Sequence, residues 1–219
     1  MSMAVVSLPL LCRPAPPPEF CRLDGTTTDR PFGPALELEE WARATFIAGD
    51  GILANPDHQH LQHAEIGMLW CAAPNARQMM AVVGQAETGV FRGARWQKAR
   101  QEQQMVEWFG LVPDFIVTFH ADYAAECDDA SFCSLVEHEL YHCGQERDPY
   151  GSPKFRKDGS PAFTLRGHDV EEFVGVVERY GVGAAAGKTA DLVRAANRGP
   201  IVSVSLIHGA CGTCGRRVA

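Results

Sequence analysis

The stretch that most constrains this chain is "VEHELYHCG", Val136 to Gly144, in which His138 and His142 stand four residues apart and Glu139 directly follows the first. Asp128 and Asp129 upstream supply helix N-cap chemistry. Phe132, Val136 and Leu140 recur at helical spacing, and Gly144 suits a stop. The pattern predicts one helix from about Asp128 to Gly144. On a helix, positions i and i+4 lie on one face, one turn apart, so both imidazoles can approach one ion from the same side. H-E-x-x-H is the zincin arrangement: two histidines hold zinc, which lowers the pKa of water towards ~7, and the glutamate is not a ligand. Glu139 is then the general base, taking the water proton and passing it to the leaving amine. The competing reading is a helix with incidental histidines.

A catalytic zinc usually has three protein ligands and one open position. The metzincin spacing is absent, because Gln145 and Asp148 stand where its glycine and third histidine would be. Asp148, in "RDPYG", can ligate through its carboxylate or simply make an Asp-Pro turn. "RGHDVEEFVGVVERYG" offers more. His168 opens an expected helix running to Tyr180, and its side chain can point from the helix mouth towards the first pair. Glu172, one turn on, can ligate instead or orient an imidazole, and Glu171 is a neighbouring carboxylate. Asp169 reads as a helix-start residue. His168 is the expected third ligand, with Glu172, Glu171 and Asp148 as alternatives.

Taken together, "LVEHELYHCGQ" and the later "GHDVEEFVGVVERYG" resemble the phage metallopeptidase family, and share the general layout of the SprT-like minimal zincins. The resemblance runs from about Leu61 to Gly181 and takes in "IGMLW", "RWQKAR" and "PDFIVTF". It implies a compact α+β zinc peptidase with His138, His142 and His168 as ligands and Glu139 as base. In SprT-like proteins a His-Gly pair supplies the later ligand, whereas Asp169 follows His168 here.

The rest of the chain reads as scaffold. "RPAPPPE", Arg13 to Glu19, favours polyproline II, so residues 1–30 are expected to form a poorly ordered arm. Helices are expected over Pro34–Ala48, Arg95–Phe109 and about Ala190–Ala196, and strands at Ile66–Trp70, "ARQMMAVVGQAE" and "PDFIVTFHA". Gln145 to Arg166 reads as a loop. The expected fold is α+β: a zincin-like domain over residues 31–182, with a small mixed or antiparallel sheet packed on the active-site helix. The Pro-rich arm precedes it, and a short tail with one helix and a C-x-x-C follows over 183–219.

Several signals carry less. The net charge of −7 gives no reason to expect nucleic acid as a partner. Arg92, Arg95, Lys98 and Arg100 do cluster, but Glu102 and Glu107 follow, and a solvated helix face is the simpler reading. No apolar run reaches the ~18 residues that span a bilayer. Three of the eight cysteines, Cys71, Cys133 and Cys143, sit in apolar or helical stretches, which favours a reducing, cytoplasmic setting over a disulfide framework. "GVGAAAGKT" has Val182 where a P-loop needs glycine. Cys211 and Cys214 make half a zinc site. His58, His60 and His63 form a polar cluster, His120 ends a strand, and Tyr141 is expected to pack in the core. Tyr150 and Tyr180 are possible oxyanion donors.

The expected function is therefore zinc-dependent hydrolysis of peptide bonds in a peptide or protein substrate. The alternatives are a zinc-stabilised binding or regulatory module without turnover, in which the fourth position is blocked, and a zinc amidase.

Overall fold

Alternating large residues in Phe115–His120 (β6) build the centre of the sheet. Phe115, Val117 and Phe119 are buried on one face, and Ile116 enters a second, smaller cluster on the other. The computed structural model describes residues 12–21, 29–77, 79–170, 174–182 and 188–211. In it, β6 runs parallel to Ile66–Cys71 (β2) and antiparallel to Gly84–Thr88 (β5), and Phe32–Pro34 (β1) pairs antiparallel with β2. The order is β1-β2-β6-β5, a four-stranded mixed sheet. Between β2 and β5 lies a short hairpin of Ala76–Arg77 (β3) and Met80–Ala81 (β4).

A parallel pair needs a long crossover connection. Arg95–Phe109 (α2) lies on it, as the sequence predicts, and stops at Gly110 with φ +77°. Met105, Trp108 and Phe109 pack with Leu69 and Ile116 on one sheet face. The other face carries Asp129–His142 (α4), whose Phe132, Cys133, Val136 and Leu140 enter the main core. Phe132 is central there, with ring centroids 5.8 Å from Phe119, 6.1 Å from Trp41 and 6.2 Å from Trp70. Asp128 caps the helix by accepting from the Ser131 N–H at 2.8 Å.

The mixed α+β architecture is the expected one, with five local differences. Pro34 belongs to edge strand β1, where a missing N–H costs no ladder bond. The helix after it is Leu36–Ala42 (α1), which widens into a π-helical segment at Arg43–Ile47. Ala121–Glu126 (α3) forms a short helix between β6 and α4. The expected loop after α4 is partly ordered as a ribbon of Cys143–Gln145 (β7) and Phe163–Leu165 (β8). The chain at His168 is not helical: the Arg166 N–H donates to the His142 carbonyl at 2.8 Å, continuing the ribbon, and the described helix begins at Val174 (α5, Val174–Tyr180).

The C-terminal part contains Lys188–Arg198 (α6) and Val204–Cys211 (α7), the second unanticipated. Glu171, Glu172, Cys214 and most of the Gly-rich "GVGAAAGKT" lie outside the described residues. Within the Pro-rich arm, Cys12–Cys21 is docked on the domain. Arg13 pairs with Asp129 at 2.9 Å, donates to the Ala124 carbonyl, and lies 4.1 Å over the Phe132 ring. Charge and stacking at Arg13 hold that segment together with Phe20, which is buried in the main core.

Candidate metal centre

The burial pattern of α4 explains how the site is presented. Val136 and Leu140 face the core, which turns His138 and His142, one turn apart, to the cleft. The ribbon after α4 then returns the chain past the end of the helix, bringing His168 opposite the pair. His138 Nε2 lies 3.3 Å from His142 Nε2 and 3.3 Å from His168 Nε2. The ligating atoms of all three lie within 4.8 Å of one another, and among the described residues this is the one His/Cys/Asp/Glu group close enough to hold a metal ion. Nitrogens meeting with no carboxylate between them are repulsive as cations. Burial, then the neighbouring His142 and His168, hold the His138 pKa below its ordinary value.

His142 Nδ1 stands 2.7 Å from the Arg166 carbonyl oxygen. Donation there keeps the proton on Nδ1 and leaves the Nε2 lone pair facing the other two rings. Backbone of the ribbon thus orients one member of the trio while the same segment delivers another.

Glu139 is buried beside this cluster, 4% exposed, on the side of α4 that faces edge strand β5. Burial raises its carboxyl pKa, while His142 and a hydrogen bond from the Ala86 backbone N–H act in the opposite direction. Gly84 makes room for it: a Cβ there would meet Glu139 Oε1 at 2.7 Å and Leu135 Cδ1 at 2.9 Å. Neither Gly84 nor Ala86 was singled out from sequence, because only the β5–α4 packing connects them to Glu139.

The cleft over the trio, of about 210 Å³, is lined also by Tyr141, Arg166, Gly167 and Asp169. Tyr141 is not a core residue. It is 37% exposed, its hydroxyl donates to Asp57 at 3.0 Å and accepts from Asn55 at 2.9 Å, and its ring contacts His58. Arg166 stacks 5.8 Å over that ring and pairs with Asp169 at 2.6 Å. Tyr141 and Arg166 also border a larger groove of about 730 Å³ that reaches Asp57, His60 and Arg147.

The other sequence candidates are placed elsewhere. Asp148 makes a turn, accepting from the N–H groups of Tyr150 and Ser152 at 2.9 Å each. His58 is buried, His60 bonds the Cys143 carbonyl at 2.7 Å, and His63 is exposed, so these three serve different environments. His120 lines a separate cavity with Cys71 and Thr118. Cys143 is fully buried, with Sγ directed at the Glu139 carbonyl, and burial pushes its thiol pKa up. It does not join the trio.

No curated protein and no solved structure matches the chain. A family model described as "Putative phage metallopeptidase" matches residues 39–197, a span that holds strands β2, β6 and β5, helix α4 and all three histidines. That match covers more than half of the 219 residues, and the chain belongs to this metallopeptidase family.

Proposed function

We propose that the chain is a zinc peptidase in which His138, His142 and His168 hold the metal and Glu139 is the general base. The observation that carries this reading is the convergence of the three imidazoles. Two nitrogens each bound tetrahedrally at 2.0–2.1 Å stand about 3.3 Å apart. The two Nε2–Nε2 separations from His138 are both 3.3 Å. Three neutral nitrogen donors without a thiolate match the donor set of catalytic zinc, with one position left for a reactant.

When bound, the metal supplies Lewis acidity towards water and towards the scissile carbonyl. The chain's own residues do the rest. Glu139, with a pKa raised by burial, is a better proton acceptor than a solvated carboxylate. It takes a proton from the attacking water and returns it to the leaving amine nitrogen. The Ala86 N–H and the space left by Gly84 hold that carboxylate in place. Strand β5 is the sheet edge beside Glu139, where an extended segment of a peptide or protein substrate can be laid along the sheet.

The test is Glu139→Gln in the zinc-loaded protein, with metal content and hydrolysis of a mixed peptide library both measured. Zinc is retained and cleavage is lost. A protein that takes up no zinc at micromolar metal would sink the reading. One that binds zinc yet cleaves nothing in its parent form points to a non-catalytic module or to a different amide substrate.

A further inference from the structure

The first half of α2 does little for the fold. Among the fifteen residues of this helix only Met105 is buried, and the exposed face begins at its first residue. Trp96 is 84% exposed, against 1% for Trp41 and 3% for Trp70. Arg100 shares a groove with Trp96, Arg92 borders the depression beside it and Arg95 precedes Trp96 in the chain, while Lys98, two residues on, lies round the opposite side of the helix; no Asp or Glu lies between Arg92 and Gln101. None of the four is in an ion pair among the described residues. The whole chain carries −7, so with these four cations set aside the remainder carries −11. Cationic charge is concentrated here on an otherwise acidic molecule.

The placement also opposes helix electrostatics. The first turn of α2 holds no acidic residue, and Arg95 sits at the positive end of the helix dipole. A helix start built for stability would carry carboxylates instead. Such a conflict between local preference and fold is expected where a surface serves a ligand.

We propose that this half of α2 is a binding surface for single-stranded nucleic acid. Trp96, Ala99, Arg100 and Gln103 line one shallow groove. Arg92, Arg100, Gln101 and Gln104 line a depression beside it, so Arg100 borders both. A polynucleotide supplies a phosphate charge at every residue for the cations and a base π-face for the tryptophan. The glutamines supply hydrogen-bonding groups without charge. An acidic protein segment would satisfy the cations but not Trp96, whose groove neighbours are alanines and polar side chains. An anionic membrane would need further large apolar residues to insert beside Trp96, and the groove has none. Stacking on an exposed ring requires an unpaired base, which favours a single strand over a duplex.

The test uses the full zinc-loaded chain and fluorescently labelled oligothymidylate and oligouridylate. The expected result is binding whose log K falls against log salt with a slope of about −2, for phosphate contacts by Arg92, Arg95 and Arg100 on a single strand. Trp96→Ala weakens it roughly tenfold, as loss of one stacking platform does. Arg95→Glu with Arg100→Glu weakens it further, and zinc content and helical circular dichroism of both variants stay at the parent level. Three results each overturn the proposal: no oligonucleotide binding at about 50 mM salt; unchanged binding by the charge-reversed variant; or a preference for duplex, polyglutamate or phosphatidylserine vesicles over the single strand. Because the readout is binding, it stands apart from whether the metal site turns over.

Discussion

The carbonyl oxygen of Arg166 accepts from His142 Nδ1 at 2.7 Å, while the Arg166 N–H donates to the His142 carbonyl at 2.8 Å. These two bonds tie the end of α4 to the strand that leads, two residues later, to His168. The candidate metal centre is thus closed by a local ribbon and not by a distant element. Removing the metal with a chelator should loosen this join: melting temperature falls and amide exchange rises around Arg166 to Asp169. His168→Ala should weaken zinc binding by more than the ~10–100-fold typical of losing a ligand's supporting partner. Competition against a chromophoric chelator measures this, and parent-like affinity would remove His168 from the ligand set.

Gly84→Ala tests how Glu139 is held. The added carbon would stand 2.7 Å from Glu139 Oε1 and 2.9 Å from Leu135 Cδ1. One of the two must move, at a cost of about 1–3 kcal/mol typical of overpacking. The expected outcome is a large drop in kcat with zinc content unchanged. If kcat is untouched while stability falls, Leu135 has yielded and the glycine serves packing alone.

Arg13 anchors the N-terminal segment to the first turn of α4. The Arg13 and Asp129 side chains are 9% and 10% exposed, and the guanidinium also covers Phe132. Truncating one partner of a buried pair is strongly destabilising, so Arg13→Ala should cost about 3–5 kcal/mol by urea unfolding. Replacing both, Arg13→Met with Asp129→Leu, should come out much closer to the parent. A single variant within experimental error of the parent would mean that the segment is not held by this pair.

His58 gives a pH signature. It is 1% exposed, and its pKa is lowered to about 4 from 6.5 by burial first, then by His60, against the opposing pull of Asp57. Among the described residues its two ring nitrogens have no hydrogen-bond partner, and the nearest carboxylate, Glu137 Oε1, stands 3.8 Å from Nε2. The folded state therefore holds this ring neutral where the unfolded chain would protonate it. The contribution is fully present above pH 6.5, declines as pH falls towards about 4, and levels off below that. The loss amounts to about 3 kcal/mol at most. His58→Phe, which cannot take the proton, should flatten that part of the stability–pH curve. Parallel curves for parent and variant would show that the ring is protonated in the fold.

The helix Arg95–Phe109, strand β6 and helix α4 were legible because each is written in a local period. Alternation marks a strand, a 3.6-residue repeat with caps marks a helix, and neither needs a distant partner. The strands of ribbon β7–β8 are three residues each, too short to show a period, so that stretch read as loop. Tyr141 read as core from helical geometry, yet it lies at the cleft, because the 3-10 segment Pro56–His63 approaches α4 and offers Asp57 to its hydroxyl.

The sequence by itself determined which side chains are the candidates for the proposed chemistry: His138, Glu139 and His142 share one helix by spacing alone, and His168 is the best further candidate. Only the tertiary structure decided how they meet. It brought His168 in on non-helical chain, set Glu139 against Ala86 and Gly84 of a strand more than fifty residues earlier, and docked Arg13 under α4. Among the described residues it also left Arg92, Arg95 and Arg100 without an ion pair beside an exposed Trp96, which net charge cannot reveal. Spacing along one helix is a property of the chain, whereas proximity between elements comes from the sheet register and core packing that bring them together.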